Sequence, residues 1–126
     1  MQGITKRAIE DVAPYCGPHA IEGVRFRPIR DAIGVSSWGM NVLELDPNCE
    51  NYPEHDHQGD GQEEVYVVLE GKAELRVGDQ VWPLVPGDMI RVGPEHRRKF
   101  VTGDEGVRFL ALGGTPGKAY APGIAG

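Results

Sequence analysis

The chain has 126 residues, 40 % hydrophobic and 25 % charged, with a formal net charge of −6 at pH 7. That length suits one soluble globular domain with a single core, and the acidic balance argues against nucleic acid or an anionic membrane as a partner. No apolar run reaches the roughly 18 residues of a transmembrane span, and Met1-Gln2-Gly3-Ile4-Thr5-Lys6-Arg7 is not followed by an apolar signal core, so a cytoplasmic location is the default expectation.

The first 30 residues read as an N-terminal arm that packs on the rest of the domain or on a partner subunit. Thr5 to Ala13 has the pattern of a short helix, ended by Pro14, Gly17 and Pro18. Short strands then follow quickly. Val35 to Leu45 predicts one or two strands whose alternation is imperfect, and Asp46-Pro47-Asn48 a turn. Tyr52 to His57 reads as a short extended segment with Pro53 near its start. Glu64 to Leu69 is a β-rich run that Gly71 ends. Ala73 to Val77 and Gln80 to Leu84 flank a Gly78-Asp79 hairpin turn. After Pro86-Gly87-Asp88 come Met89 to Val92, Arg97 to Val101 and Val107 to Leu112, and the Gly-, Pro- and Ala-rich tail at 113–126 reads as irregular.

The 18 glycines and 10 prolines punctuate short apolar runs rather than forming low-complexity tracts. Strands at this spacing, with almost no helix after residue 30, predict an all-β sandwich or barrel. A small barrel has room inside for one small ligand. Cys16 and Cys49 form no C-x-x-C pair and read as free thiols of a reducing compartment. Trp38, Met40, Tyr66 and Val68 read mainly as core, with one or two free to line a pocket.

The chemistry concentrates in Pro53-Glu54-His55-Asp56-His57, followed by Gln62-Glu63-Glu64-Val65-Tyr66. Residues i and i+2 of a strand share a face, so His55 and His57 can present two imidazoles together. A carboxylate from the next strand completes a two-His, one-carboxylate set, which suits a divalent transition metal with open positions. A bare His-x-His is equally at home in a solvated acidic turn, and Glu54, Asp56 and Asp60 surround this one.

On these residues the chain resembles a small single-domain cupin of the cupin 2 type. The pair His55 and His57, a Glu, six further residues and Gly71 match the family's first motif. Counting back from Gly71 makes the Glu Glu64, with Glu63 and Gln62 as neighbouring candidates; Gln62 shares the face of Glu64 and could support a ligand by a hydrogen bond. The spacer after His57 is longer than in the family pattern. Pro86-Gly87-Asp88 matches the start of the second motif, and the resemblance covers residues 36 to 112. It implies a double-stranded β-helix, or jelly-roll barrel, a metal held by His55, His57 and Glu64, and a homodimer, which open sheet edges also invite.

The histidine that usually follows in the second motif does not stand at its expected place. Ungapped counting places Arg98 there, and counting back from Thr102-Gly103-Asp104-Glu105 places Arg97. Either His96 ligates as a fourth residue through a shortened turn, or an arginine takes the position and could hold a substrate carboxylate. The expected function is a metal-dependent enzyme, using iron, manganese, nickel or zinc on a small organic molecule in a dioxygenase-like or isomerase- or lyase-like reaction, with Tyr66 and Arg98 as possible substrate contacts. The alternative is a barrel that binds a small ligand or metal without turnover. A metal-free epimerase would need a base–acid pair such as His57 and Tyr66.

Overall fold

The computed structural model describes residues 1–122; the last four residues of the tail read as irregular lie outside the described residues. Among the described residues eight strands form two antiparallel sheets: β1 (Val24–Arg27), β2 (Gly39–Leu45), β3 (Glu63–Gly71), β4 (Ala73–Val77), β5 (Gln80–Leu84), β6 (Met89–Val92), β7 (Lys99–Val101) and β8 (Val107–Gly114). The larger sheet has the order β1-β2-β8-β3-β6, the smaller β5-β4-β7. Strands from distant parts of the sequence interleave, as a jelly-roll barrel requires, and the expected all-β class holds.

The core lies between the sheets. On β8 the burial alternates strictly, so Val107, Phe109 and Ala111 point inward. Phe109 stacks on Phe100 of β7 at 4.4 Å between ring centroids, and Tyr66 of β3 meets Phe100 edge-on at 4.8 Å. Both contacts have the offset or T-shaped geometry that aromatic pairs favour. Gly71 closes β3 with φ of 76°, and a Cβ there would collide with the carbonyl of Gly106. Only glycine fits, because the backbone is left-handed and another chain segment lies against it.

Four expectations about the elements need correction. The helix over Thr5 to Ala13 is a single 3-10 turn at Ile9–Asp11; a helix this short gains little alone, and Val12 is instead fixed by packing. The arm contains β1 and a five-residue helix, α1 (Ile29–Ile33), ended by Gly34 at φ 78°. β1 joins the large sheet opposite β2, with Val24 across from Leu45 and Arg27 across from Val42. The arm then covers the sheet's outer face, where Val12, Ile29 and Val42 form a second buried cluster with Met40 and Leu110 against it. That explains the imperfect alternation of β2, since Val42 and Leu43 point to opposite faces and both are buried. Trp38, read as core, is 47 % exposed because β2 begins only at Gly39. Finally, β8 runs to Gly114, past the expected start of the irregular tail, because Gly113 and Gly114 still pair with Glu64 and Glu63.

Candidate metal centre

β3 delivers the carboxylate. Glu64, Tyr66 and Val68 share its inward face, while Glu63 points out and pairs with Arg91 at 2.9 Å. Of the two neighbouring glutamates it is Glu64 that faces inward, as alternation along the strand requires. The segment carrying the histidines makes a single antiparallel bridge rather than a strand. His55 N–H donates to the carbonyl of Arg98 at 3.1 Å, Arg98 N–H returns to His55 at 2.8 Å, and His57 N–H donates to Pro94 at 3.0 Å. This short ladder aims both imidazoles at Glu64. His57 Nε2 is 3.1 Å and His55 Nε2 3.8 Å from Glu64 Oε1, and one ligand atom from each of the three residues lies within 4.8 Å of the others.

That spacing could hold a metal ion. Protein N and O ligands lie roughly 2.0–2.2 Å from such an ion, which puts neighbouring ligands about 3–4 Å apart. The orientation also fits. His55 Nδ1 lies 2.9 Å from the carbonyl of Pro53, and His57 Nδ1 lies 3.1 Å from Asp60 Oδ1. Each Nδ1 proton has an acceptor, which leaves each Nε2 lone pair free for a metal.

The long spacer explains Asp60. The turn folds back so that Gln58 N–H donates to Asp56 and Gln62 N–H to Asp60, and Gly61 turns at φ 70°. The extra residues thus bring Asp60 to His57. Asp60 stands in the sequence as one acid among several, and its spacing from His57 was the signal for a supporting role. Gln62 does not touch a ligand; its amide reaches Asp60 at 3.5 Å. Asp60→Ala is expected to lower metal affinity about 10–100-fold by freeing the His57 ring; titration of a chelator-stripped sample against the parent measures it, and an unchanged affinity would remove Asp60 from the site.

Glu64 is ionised. Burial opposes its charge, but the imidazoles of His55 and His57 and the hydroxyl of Tyr66, which donates to Oε1 at 2.6 Å, hold the carboxyl far below the usual range. His57 moves up, chiefly through its hydrogen bond to Glu64, with burial opposing. A proton and a metal ion would therefore compete for the same His57–Glu64 pair. Tyr66 is pushed up by burial first and then by the nearby Tyr52 and Glu64, so it remains a donor.

Arg98 and His96 part company. Arg98 is 0 % exposed, with Nη2 on the carbonyl of Gly93 at 2.9 Å and Nη1 3.5 Å from Glu64 Oε1. Its bridge to His55 turns it inward beside the site. It lies against Glu64 and is not among the residues that line the cavity, so the guanidinium faces the carboxylate rather than the open space. Arg97 points out to Glu54 at 3.2 Å. His96 is also outside the group; its side chain is 56 % exposed and pairs with Glu95 at 3.3 Å, because the residue lies in the turn before the bridge. The proposed fourth ligand is therefore absent from the cluster.

The three residues open onto a cavity of about 500 Å³, within the usual range for small-molecule sites. Its walls include Phe26, Leu43, Tyr52 and Tyr66 from the barrel. The arm supplies Tyr15 and Ile21, and the tail supplies Tyr120, whose hydroxyl packs against Gly39. Tyr66 both lines the cavity and is 1 % exposed, so it serves core and site together.

The profile for the Cupin domain family (Cupin_2) matches residues 41–113, and the chain belongs to that family. Among solved structures, a sugar phosphate isomerase from a cupin superfamily of Silicibacter pomeroyi is similar, with a TM-score of 0.71 and 23 % identity over 94 % of this chain and 77 % of that one. The polyketide cyclase RemF of Streptomyces resistomycificus gives 0.72 and 22 % over 94 % and 82 %. A Cupin 2 conserved barrel domain protein of Salinispora arenicola gives 0.71 and 18 % over 90 % of each. These likenesses establish the fold. A search of curated proteins found no match. Among the described residues no helix is long and apolar enough to cross a membrane.

Proposed function

We propose that the protein is a metal-dependent barrel enzyme acting on a small organic molecule, with His55, His57 and Glu64 as the protein ligands. The observation that carries this is the convergence of two Nε2 atoms and an ionised carboxylate on one cavity, with both Nδ1 atoms already held. A divalent ion there would supply Lewis-acid chemistry or, if iron, oxygen activation. Three protein ligands favour turnover over a purely structural role, since structural sites are closed and catalytic ones keep positions open. Within this reading Tyr66 and Arg98 keep Glu64 charged, Asp60 and the Pro53 carbonyl fix the rings, and the arm and tail tyrosines restrict water.

Elemental analysis of protein purified without added metal identifies the ion among iron, manganese, nickel and zinc. Oxygen uptake by the iron-loaded form against small organic substrates then separates oxygenase from isomerase or lyase chemistry. A folded protein that takes up none of these ions at neutral pH would overturn the proposal.

The pH dependence follows from His57. Protons compete with metal for Nε2, and the His57 pKa is raised, so as pH drops metal affinity is expected to begin falling earlier than an ordinary imidazole, near about 6.5, would make it. In the metal-free protein the same shift contributes stability below about 6.5 that is lost as pH rises through the folded value. A metal affinity that does not change between about pH 8 and about pH 5 would contradict the assigned pair.

We also place the protein in the cytoplasm as a homodimer. Free Cys16 and Cys49 support a reducing compartment. Exposed Val81, Trp82 and Met89 on the edge strands β5 and β6 support self-association. Light scattering at micromolar concentration should give twice the chain mass; a monomeric mass would exclude the dimer.

A further inference from the structure

The cavity has a charge signature of its own. Among the described residues its lining includes two carboxylates, Asp60 and Glu64, and no lysine or arginine. Arg98 is sealed off and engaged with Glu64 and Gly93, and Arg30 lies over the Tyr120 ring at 5.0 Å rather than in the wall. His19 offers an imidazole at the exposed rim, not a permanent cation. A divalent ion bound by Glu64, with Asp60 behind His57, is already matched in charge. Phosphate monoesters carry nearly two negative charges near neutral pH and are held by arginine or lysine donors, and no such donor faces this space.

The remaining walls are mostly rings and aliphatic side chains, with two side-chain amides among them: Gln62, which reaches Asp60, and Asn41. Asn41 projects from β2 between Gly39 and Leu43 into the cavity, and its Oδ1 is buried without a hydrogen-bond partner. Buried polar atoms are nearly always paired. The terminal torsion of an asparagine is soft, so its amide can turn to meet a ligand.

We propose that the barrel takes an uncharged, largely apolar ring compound whose hydroxyl or carbonyl bonds the Asn41 amide, and that it rejects phosphorylated substrates. This rests on the reading of the barrel as a small-molecule site. Aromatic walls supply affinity, Asn41 sets orientation as a positioning residue, and the missing cation supplies the discrimination.

Three probes with one ring system test it: 1-naphthol, 1-naphthyl phosphate and naphthalene, each titrated by fluorescence into metal-loaded protein and into chelator-stripped protein. 1-Naphthol is expected to bind at least about tenfold more tightly than its phosphate ester, since the ester would bury an uncompensated charge. Asn41→Leu is expected to weaken 1-naphthol about fivefold and to leave naphthalene unchanged, whereas mere disruption of the cavity would weaken both. Equal or tighter binding of the phosphate, or no binding of 1-naphthol to either form, would overturn the proposal. Metal content is read separately on the same samples: the naphthol preference without metal uptake would uphold this inference while ending the metal-enzyme reading, and metal uptake with a phosphate preference would do the reverse.

Discussion

His57→Ala is expected to lower metal affinity by more than about a hundredfold, beyond the range caused by loss of a supporting residue. His57 is the ring nearest Glu64, at 3.1 Å, and is held on its far side by Asp60. Removal takes away one of three protein ligands, and nothing nearby replaces it: His96 is on the surface beside Glu95. Competition with a chromophoric chelator reports the affinity, and circular dichroism checks the fold. His96→Ala is the control and should retain the parent affinity. If His96→Ala lost metal as fully as His57→Ala, the three-residue site would be wrong.

Arg98→Met should cost about 3–5 kcal/mol of metal-free stability, the usual result of removing one partner from a buried pair. Glu64 is ionised and largely enclosed, so loss of the guanidinium leaves a buried carboxylate with less compensation. The bonds of Arg98 to Gly93 and Val92 are lost as well. Adding Glu64→Gln to this variant should recover part of the loss, because the uncompensated charge is gone. Metal binding to the single variant should also restore stability, since a cation then faces Glu64. Urea unfolding of the parent, both single variants and the double variant gives the coupling. A strictly additive double variant would show that Arg98 acts by packing and backbone contacts alone. The buried arginine stands as a fixed cation against the Glu64 carboxylate.

The sequence by itself determined the strand runs and the metal-ligand candidates, because both rest on local periodicity. Short apolar runs and the turn residues between them identified β4, β5 and β8 within a few residues, and the i, i+2 rule put His55 and His57 on one face. The choice of Glu64 over its neighbours came from the resemblance to the family motif that ends at Gly71, and Gly71 itself tolerates no side chain against Gly106. β1 was missed although Val24-Arg25-Phe26-Arg27 alternates cleanly; four residues between a turn and a proline form a strand only because β2 offers an edge. The double burial of β2 was equally invisible, since it depends on the arm folding over the outer face.

Tertiary structure alone decided between Arg98 and His96. They lie two residues apart, and the antiparallel bridge of His55 to Arg98 sends one inward and leaves the other in the turn. It alone brought Asp60 back to His57, through a turn whose length looked like a mismatch. That no lysine or arginine among the described residues lines the cavity, and that Asn41 Oδ1 is left without a partner there, also belong to the fold, because its walls are assembled from the arm, the barrel and the tail. Strand periodicity carries information over two or three residues, whereas charge balance in a cavity is set by segments that meet only when the chain has closed.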